Sequence, residues 1–248
     1  MPVKRTLRPK IRERESTATG RLFAIGDIHG CIDEVSTMIA TIAPVRGDTV
    51  VFVGDYIDRG PAAREVIEAL IELSQGPAEY VFLKGNHEDM MLSFLGLPGH
   101  YGDSFLFNGG MPTLESYGVP QADAVHAIER IPPSHLAFFK TLATSYLHPP
   151  YLFVHAGISP LRQLEEQSVE DMLWIRQEFI FNPHQLGATV VFGHTPMRAV
   201  MVDFPYKLGI DTGLVYGGKL TCVECNEGIL YQVGRGSRQV KSQALASR

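Results

Sequence analysis

The chain of 248 residues is 45% hydrophobic and 20% charged, which is typical of a globular protein rather than a disordered or fibrous one. No apolar run approaches the roughly 18 residues that a membrane span requires, and no apolar segment follows the basic N-terminus as in a secretory signal. Three cysteines are few and odd in number, which argues against a disulfide framework and suits a cytoplasmic location.

The charge is distributed unevenly along the chain. Residues 1–20 and 234–248 each carry a net charge of +4, which leaves −13 for residues 21–233 out of a total of −5. We therefore expect a basic N-terminal tail at 1–20, a single domain at 21–233 and a basic C-terminal tail at 234–248, with both tails solvated. An acidic body argues against nucleic acid as the main ligand and suits a protein that binds cations.

Three segments near the N-terminus share one design, in which an apolar run is followed by Gly and then by acids and His. They are RLFAIGDIHG (21–30), DTVVFVGDYIDRG (48–60) and AEYVFLKGNHED (78–89). Continuous runs rich in Val, Ile and Phe predict strands that are buried on both faces. Apolar spacings of three and four predict helices between them, at 31–43 and 61–76, so the strands recur at the spacing of βαβ units.

The second half of the chain has a different pattern. Residues 96–120 are rich in Gly and Pro, which predicts a loop with short helices, and further short helices are predicted at 121–130 and 134–143. Strands return at 151–159, 189–196 and 207–225, the last as a hairpin. Because no long helices separate these late strands, we expect a mixed or second antiparallel sheet, and so an α/β domain of two stacked sheets flanked by helices.

Polar residues follow five of the predicted strands. They lie in GDIHG (26–30), GDYIDRG (54–60), GNHE (85–88), HAG (155–157) and GHT (193–195). In open α/β sheets, ligands bind outside the carboxyl ends of the strands, so we expect these polar groups to converge on one pocket.

The residue types at these strand ends are those that bind transition metals. They form two sets of mixed oxygen and nitrogen donors that Asp55 could bridge: Asp27, His29 and Asp55, and Asn86, His155 and His194. Carboxylate, imidazole and amide together suit Mn, Fe or Zn better than Mg or Ca. Two metals about 3.5–4 Å apart can hold the attacking and leaving oxygens of a phosphoryl displacement and lower the pKa of a shared water.

GDIHG, GDYIDRG and GNHE, in this order and spacing, resemble the phosphoprotein phosphatase family of metallophosphoesterases. HAG and GHT extend the resemblance to the bacterial and phage-type serine/threonine phosphatase branch, and the match runs from about Ile25 to Gly213. The resemblance implies the calcineurin-like metallophosphoesterase fold, an α/β fold with two stacked mixed β-sheets flanked by helices (α/β/β/α). It also implies a metal-dependent phosphatase with two divalent metal ions, Mn first and Fe or Zn as alternatives.

The resemblance further implies a role for each matching residue. Asp27, His29 and Asp55 would bind the first metal, and Asp55, Asn86, His155 and His194 the second. His87 would be the general acid that protonates the leaving alkoxide, and Asp58 would orient it. Substrate phosphate would be bound by Arg59, by Asn86 and by a second arginine, for which Arg176 in LWIRQEF (173–179) is the candidate. The sequence around Arg176 departs from that of eukaryotic members, which carry a Ser-Asp-Pro element there.

The substrate remains open among three classes. Phosphoserine and phosphothreonine in proteins come first, hydrolysed by direct attack of a hydroxide that bridges the two metals. Close relatives hydrolyse diadenosine tetraphosphate but usually lack the acid corresponding to Asp58, so its presence here favours the protein substrate. A small phosphometabolite is a third class. A binding protein that has lost catalysis is disfavoured, because neither His87 nor Asp58 nor any metal ligand is missing.

Other segments have weaker signals. Residues 108–118 (NGGMPTLESYG) are the candidate for a lid or specificity element, because long loops on a rigid scaffold tend to carry function. Asp211 in IDTG is either a partner of His194 or a turn residue. Cys222 and Cys225 form a lone CxxC motif without a second pair, which we interpret as structural rather than as a zinc site.

Overall fold

The computed structural model describes residues 11–13, 20–119 and 121–245. Its strands are β1 (Ile11–Glu13), β2 (Leu22–Ile25), β3 (Thr49–Phe52), β4 (Glu79–Phe82), β5 (Ser145–His148), β6 (Tyr151–Val154), β7 (Thr189–Phe192), β8 (Met201–Asp203), β9 (Lys207–Gly209), β10 (Lys219–Glu224), β11 (Ile229–Gly234) and β12 (Val240–Ala244). Its α-helices are α1 (Ile32–Ile42), α2 (Ala63–Leu73), α3 (Asn86–Phe94), α4 (Met111–Ser116), α5 (Ala124–Arg130), α6 (Pro133–Thr141), α7 (Val169–Trp174) and α8 (Gln177–Phe181). Shorter helical turns lie at Gly102–Ser104, Leu106–Gly110, Leu164–Glu166 and Leu214–Tyr216.

The strands form two mixed sheets, with the orders β12-β11-β10-β2-β3-β4 and β1-β5-β6-β7-β9-β8. In the first sheet β2, β3 and β4 are parallel and β10 is antiparallel to β2. In the second, β6, β7 and β9 are parallel, while β5 and β8 run antiparallel to their neighbours β6 and β9. The parallel order of β2 to β4 is what the alternation of apolar strands and amphipathic helices predicts.

Strand β2 shows how one apolar run serves two cores. Phe23 packs with helix residues such as Val35 of α1, on the outer face of the first sheet. Ala24, the next residue, faces the other way and packs with Phe153 of the second sheet. A third core, which includes Phe179 of α8, covers the far face of the second sheet. The layers are therefore helix, sheet, sheet, helix, which confirms the prediction of two stacked mixed sheets flanked by helices.

The hairpin predicted at 207–225 is wrong. Strand β9 pairs with β7 and β8 in the second sheet, whereas β10 pairs with β2 and β11 in the first. The chain therefore crosses from one sheet to the other between residues 209 and 219. Both strands are apolar and separated by glycines, so their pattern is the same in a hairpin as in a crossover between stacked sheets.

Parts of the expected tails belong to the sheets. Strand β1 is parallel to β5, with Ile11 opposite Ser145, and Ser145 is opposite Val154 of β6. Strand β11 passes the expected boundary at 233, and β12 pairs with it, so residues 240–244 form an edge strand whose side chains are mostly exposed. Residues 1–10, 14–19 and 246–248 lie outside the described residues, and the three-part division of the chain stays a prediction. Within the described parts, no helix is long and apolar enough to cross a membrane.

Candidate metal centre

The five polar strand ends come together between the two sheets. Strands β2, β3 and β4 are parallel in one sheet, and β6 and β7 are parallel in the other, so each sheet gathers its carboxyl ends at one edge. The predicted metal ligands that follow these ends are all buried: Asp27, His29, Asp55, Asn86, His155 and His194. Burial of so many polar side chains requires either hydrogen bonds among them or a bound ion.

Two groups of potential ligand atoms share Asp55. Ligand atoms of His29, Asp55 and His87 lie within 4.8 Å of one another, and so do those of Asp55, His155 and His194. The Asp55 carboxylate lies 3.5 Å from His29 Nε2 through Oδ2 and 3.3 Å from His155 Nε2 through Oδ1. One carboxylate therefore faces both groups, as the sequence predicts for a bridging ligand of two metals.

Asn86 directs its side-chain oxygen at both histidines of the second group. Oδ1 lies 2.9 Å from His155 Nε2 and 2.8 Å from His194 Nδ1. The other ring nitrogen of His194, Nε2, is buried and has no hydrogen-bond partner in the described part of the chain. A buried imidazole nitrogen without a partner, beside an amide oxygen and a carboxylate, fits the donor set of a transition-metal ion.

Asp27 lies next to this second group. Its two carboxylate oxygens accept from the backbone N–H of His194 at 3.1 and 3.0 Å. Burial raises the pKa of Asp27 well above its usual value, and the negative charges of Asp211 and Asp55 raise it further. A cation bound here would offset that repulsion. Because His87 rather than Asp27 completes the first close group, the role of Asp27 as a ligand of the first metal stays a prediction.

The backbone of the centre is strained at several residues. Positive φ angles occur at His29 (46°), Asp55 (52°), Asp58 (70°), Arg59 (68°) and His194 (63°). A non-glycine residue in this region costs of order 1–3 kcal/mol and persists only where the surrounding packing holds it. The concentration of such residues at the strand ends indicates that the fold fixes these side chains at the expense of stability.

Gly54 allows the ends of β3 and β4 to approach each other. Its φ angle is 109°, and a Cβ atom there would lie 2.6 Å from the backbone nitrogen of Gly85 and 2.9 Å from Nδ1 of His155. A side chain at this position would therefore displace both the start of α3 and a candidate metal ligand.

Glu88 holds two of the motifs together. Its buried carboxylate accepts from the backbone N–H groups of Gly85 (2.8 Å), Asp55 (3.1 Å), Tyr56 (2.8 Å) and Ile57 (3.3 Å). No motif in the sequence predicts these four bonds. The one signal is a Glu three residues after Gly85 at the start of α3, where its side chain can accept from the Gly85 N–H as the Glu of a capping box does.

His87 and Asp58 form a buried pair beside the first group. Nδ1 of His87 lies 2.6 Å from Oδ2 of Asp58, and Nε2 of His87 lies 3.9 Å from the Asp55 carboxylate. Burial lowers the pKa of His87 to about 4, and Asp55 opposes this. Burial raises the pKa of Asp58 well above its usual value, and a hydrogen bond from Thr113 opposes this. The pair thus turns one imidazole nitrogen toward the centre while a carboxylate holds the other.

Arg59 lies at the rim of the centre. One of its terminal nitrogens is 2.6 Å from His29 Nε2, and its backbone N–H donates to the carbonyl of Gly109 at 2.9 Å. Its guanidinium carbon lies 5.4 Å from the centroid of the Tyr216 ring, and Tyr216 is 64% exposed. Tyr216 could not be predicted from sequence, because no motif there distinguishes it from other aromatic residues.

Arg176 approaches the same pocket from the start of α8. Its guanidinium donates to the Thr195 hydroxyl at 3.5 Å, next to His194. Burial is the largest cause of the lowered pKa of His87 and of His194, and the positive charge of Arg176 is a smaller cause that acts in the same direction on both. The structure therefore brings this candidate phosphate arginine near both groups, and its contact with substrate stays a prediction.

The structure also places Asp211 and segment 108–118, whose predicted role as a lid or specificity element stays a prediction. Asp211 accepts from the backbone N–H of Gly213 at 2.9 Å, which is the turn-forming role, and its charge acts on Asp27. Segment 108–118 contains the buried Thr113 and Leu114, and it bonds to the turn that carries Asp58 and Arg59. This segment therefore supports the centre by packing against it.

Comparisons with known proteins identify one family, whose members described below are named for two different activities. The family model described as calcineurin-like phosphoesterase matches residues 20–221. Serine/threonine-protein phosphatase 1 of Salmonella typhimurium strain LT2 is 29% identical over 208 residues, which cover 81% of this chain and 89% of the relative. The asymmetrical bis(5'-nucleosyl)-tetraphosphatase PrpE of Halalkalibacterium halodurans is 27% identical over 233 residues, with 82% and 89% covered. A solved structure provisionally described as a diadenosine tetraphosphatase superimposes with a TM-score of 0.71 at 22% identity, covering 92% of this chain and 98% of that one.

Proposed function

The chain belongs to the calcineurin-like phosphoesterase family of metal-dependent hydrolases, and within this family we propose that it removes phosphate from phosphoserine and phosphothreonine in proteins. The observation that carries the proposal is the buried His87–Asp58 pair, 2.6 Å apart, beside the candidate metal ligands. An alkoxide leaving group such as serine or threonine needs a proton as it departs, and a positioned histidine can supply one. The relative from Salmonella typhimurium, named a serine/threonine-protein phosphatase, supports the same substrate class.

We propose that two divalent metal ions complete the site, with Mn first and Fe or Zn as alternatives. The residues that would hold them are Asp27, His29 and Asp55 for one ion and Asp55, Asn86, His155 and His194 for the other. When bound, the two ions would supply an activated water and neutralise charge that develops on the phosphoryl oxygens.

The remaining residues have distinct tasks in this proposal. Arg59 and Arg176 bind phosphate oxygens with their planar guanidinium groups, and Asn86 contributes its amide. In the form that reacts, His87 carries a proton on both ring nitrogens: Nε2–H protonates the leaving oxygen, and Nδ1–H donates to Asp58 and keeps its proton afterwards. We also propose a cytoplasmic location, which the three free cysteines Cys31, Cys222 and Cys225 support.

Dinucleoside tetraphosphates are a second candidate substrate. The relative from Halalkalibacterium halodurans is named as a hydrolase of this class, and the exposed Tyr216 ring beside Arg59 could stack on a base. A small phosphometabolite is the remaining alternative.

The deciding experiment compares substrates on one preparation. Mn-reconstituted protein is assayed for phosphate release from a phosphothreonine peptide, a phosphotyrosine peptide and diadenosine tetraphosphate, with the Asp55→Asn variant as a control for contaminating phosphatases. We expect the highest kcat/KM on the phosphothreonine peptide. A preference for the dinucleotide would overturn the protein substrate. Absence of turnover on all three would direct the search to small phosphometabolites.

A further inference from the structure

Thr113 makes two short hydrogen bonds to a single residue, Asp58. Its hydroxyl donates to Oδ1 of the carboxylate at 2.6 Å and accepts from the backbone N–H of Asp58 at 2.8 Å. Thr113 is fully buried, and 55 residues of chain separate it from Asp58. The contact is therefore a tertiary one that the motif around Asp58 does not contain.

These two bonds leave the hydroxyl only one orientation. A threonine hydroxyl has a single proton, and the N–H of Asp58 occupies a lone pair, so the proton must point to Oδ1. The other carboxylate oxygen, Oδ2, faces Nδ1 of His87 at 2.6 Å. The terminal torsion of an aspartate is broad when nothing holds it, and here both of its oxygens are held. Thr113 thereby fixes the plane of the carboxylate and, through it, the imidazole ring of His87.

The helix that carries Thr113 is itself held in place. Helix α4 is followed by Tyr117, whose hydroxyl lies 2.9 Å from Nδ1 of the buried His135, and Nε2 of His135 lies 2.8 Å from Glu68 of α2. Helix α2 begins directly after the turn that contains Asp58. Thr113 therefore bonds to Asp58 from an element whose position relative to that turn is fixed.

We propose that Thr113 is a positioning residue for proton donation, because its hydroxyl orients Asp58 so that His87 presents Nε2 to the leaving oxygen. This inference rests on the proposed phosphatase function. Segment 108–118 would thus affect the reaction indirectly, through the orientation of Asp58 and His87. Thr113 itself touches neither substrate nor metal ligand in this proposal.

The test uses two phosphate esters that differ in their need for a proton. The leaving group of p-nitrophenyl phosphate departs readily as an anion, whereas that of phenyl phosphate is a poorer leaving group and depends on a general acid. Thr113→Val removes the hydroxyl at nearly constant shape, and Thr113→Ser keeps it. Thr189→Val is the matched control, because the Thr189 hydroxyl donates to the carbonyl of Pro205 at the start of β7, away from the centre.

We expect Thr113→Val to lower kcat on phenyl phosphate by about 10–100-fold and on p-nitrophenyl phosphate by less than about 3-fold. KM and bound metal should not change. Thr113→Ser should retain the wild-type ratio of the two rates, as should Thr189→Val. His87→Asn should show the same selective loss, and adding Thr113→Val to it should cause no further loss, since both act on one proton transfer. Equal losses on both esters, or no rescue by serine, would overturn the proposal.

A second measurement does not depend on turnover. In protein labelled with ¹⁵N-histidine, the His87 resonances, assigned through His87→Asn, should show a hydrogen-bonded proton on Nδ1 in the wild type, in addition to the Nε2 proton of the acid form, and loss of that Nδ1 hydrogen bond in Thr113→Val. Unchanged resonances would contradict the positioning role even if activity fell. If the wild type hydrolyses neither ester nor the phosphothreonine peptide, the proposed function fails, and the resonance measurement alone decides whether Thr113 orients Asp58 and His87.

Discussion

At the scale of the residue, Asp55 makes several contacts at once in the centre. Its carboxylate faces both ligand groups, its Oδ1 accepts from the backbone N–H of His87 at 3.2 Å, and its own N–H donates to Glu88. Its φ angle of 52° places it in a strained conformation that this network holds. A change at Asp55 should therefore affect both metals, whereas a change at His194 should affect one.

This difference can be measured as metal content. Asp55→Asn replaces the carboxylate that we propose to bridge two metals by a neutral amide, so bound Mn should fall from the proposed two ions per chain toward none. His194→Ala should leave about one ion, because the group of His29 and Asp55 remains. The metal content of each variant, measured after gel filtration, tests both expectations. One tightly bound ion in Asp55→Asn would show that Asp55 does not bridge.

His87→Asn tests the proton donor directly. The substitution removes the acidic nitrogen and keeps a polar side chain, so kcat on a phosphothreonine peptide should fall by about 10²–10⁴-fold. Metal content should stay near that of the wild type. Loss of metal would instead assign His87 to ligation, a role for which its place in the first close group makes it eligible.

Residues that the structure brings together at the centre could be predicted where they lie in short motifs at strand ends, and their roles as ligands stay predictions. Asp27, Asn86 and His194 could be identified because each follows a recognisable apolar run. Thr113 could not, since its contact with Asp58 depends on how a helix 55 residues later packs. A threonine in a Gly-rich segment carries no local signal of that contact.

At the scale of the element, the short loop that carries Tyr216 is bounded by flexible positions. Gly213 and Gly217 have φ angles of 68° and 89°, and the turn Leu214–Tyr216 lies between them. The loop places the Tyr216 ring beside the guanidinium of Arg59. Such cation–π contacts contribute about 0.5–1 kcal/mol at exposed sites.

Tyr216→Ala should therefore free Arg59 and raise KM for the phosphothreonine peptide by about 2–5-fold, with little change in kcat. Tyr216→Phe keeps the ring and is the control, with KM near the wild-type value. Steady-state kinetics on both variants provide the measurement. If Phe weakened binding as much as Ala, the hydroxyl rather than the ring would be responsible.

Asp48 connects the starts of two strands to the end of a helix. It accepts from the backbone N–H and the guanidinium of Arg21, and Arg21 also donates to the carbonyls of Ile42 and Ala43 at the end of α1. Burial raises the pKa of Asp48, but the bonds from Arg21 and Val45 outweigh it and hold the pKa below the usual value. The folded state thus favours the ionised carboxylate.

A pH dependence follows from this sign. A carboxyl group whose pKa is lower in the folded than in the unfolded state contributes stability above the unfolded value, and this is lost as pH falls through the folded pKa. Asp48→Asn should cost about 1–3 kcal/mol at pH 7, and its difference from the wild type should shrink below about pH 4. Urea unfolding at both pH values measures it. A constant difference would show that geometry rather than charge is responsible.

The elements themselves were predictable to different degrees. Helices α1 and α2 have clear apolar periodicity, and the strands before them have continuous apolar runs, so both follow from local pattern. The partner of β10 does not, because pairing with β2 joins residues nearly 200 positions apart. The sequence predicts where the strands are but not which of the two stacked sheets each late strand joins.

At the scale of the whole molecule, the acidic body and the buried carboxylates of the centre predict that a bound cation would stabilise the folded state. Residues 21–233 carry a net charge of −13, and several buried carboxylates lie near one another at the strand ends. An ion that binds only the folded state stabilises it by about 2.7 kcal/mol at 100 times its dissociation constant. The metal-free protein should therefore have a lower free energy of unfolding than the metal-loaded protein.

Removal of metal should lower the urea midpoint. We expect Mn-loaded protein to exceed the chelated protein by at least about 2–3 kcal/mol in free energy of unfolding, with the difference growing with free Mn concentration. Asp55→Asn should show little dependence on Mn and serves as the control. An equal response of both proteins would mean that Mn binds elsewhere.

The register of β1 has a practical consequence for such experiments. Ile11 lies level with Ser145 and Val154, and Val154 directly precedes the candidate ligand His155, so β1 begins on the side of the candidate metal centre. Leu245 follows β12 at the opposite end, where its N–H donates to the carbonyl of Gly228. A polyhistidine affinity tag joined directly to Ile11 would thus bring competing imidazoles to the side of the candidate site whose metals are to be counted. Fusion at the C-terminus keeps the purification handle away from the chemistry.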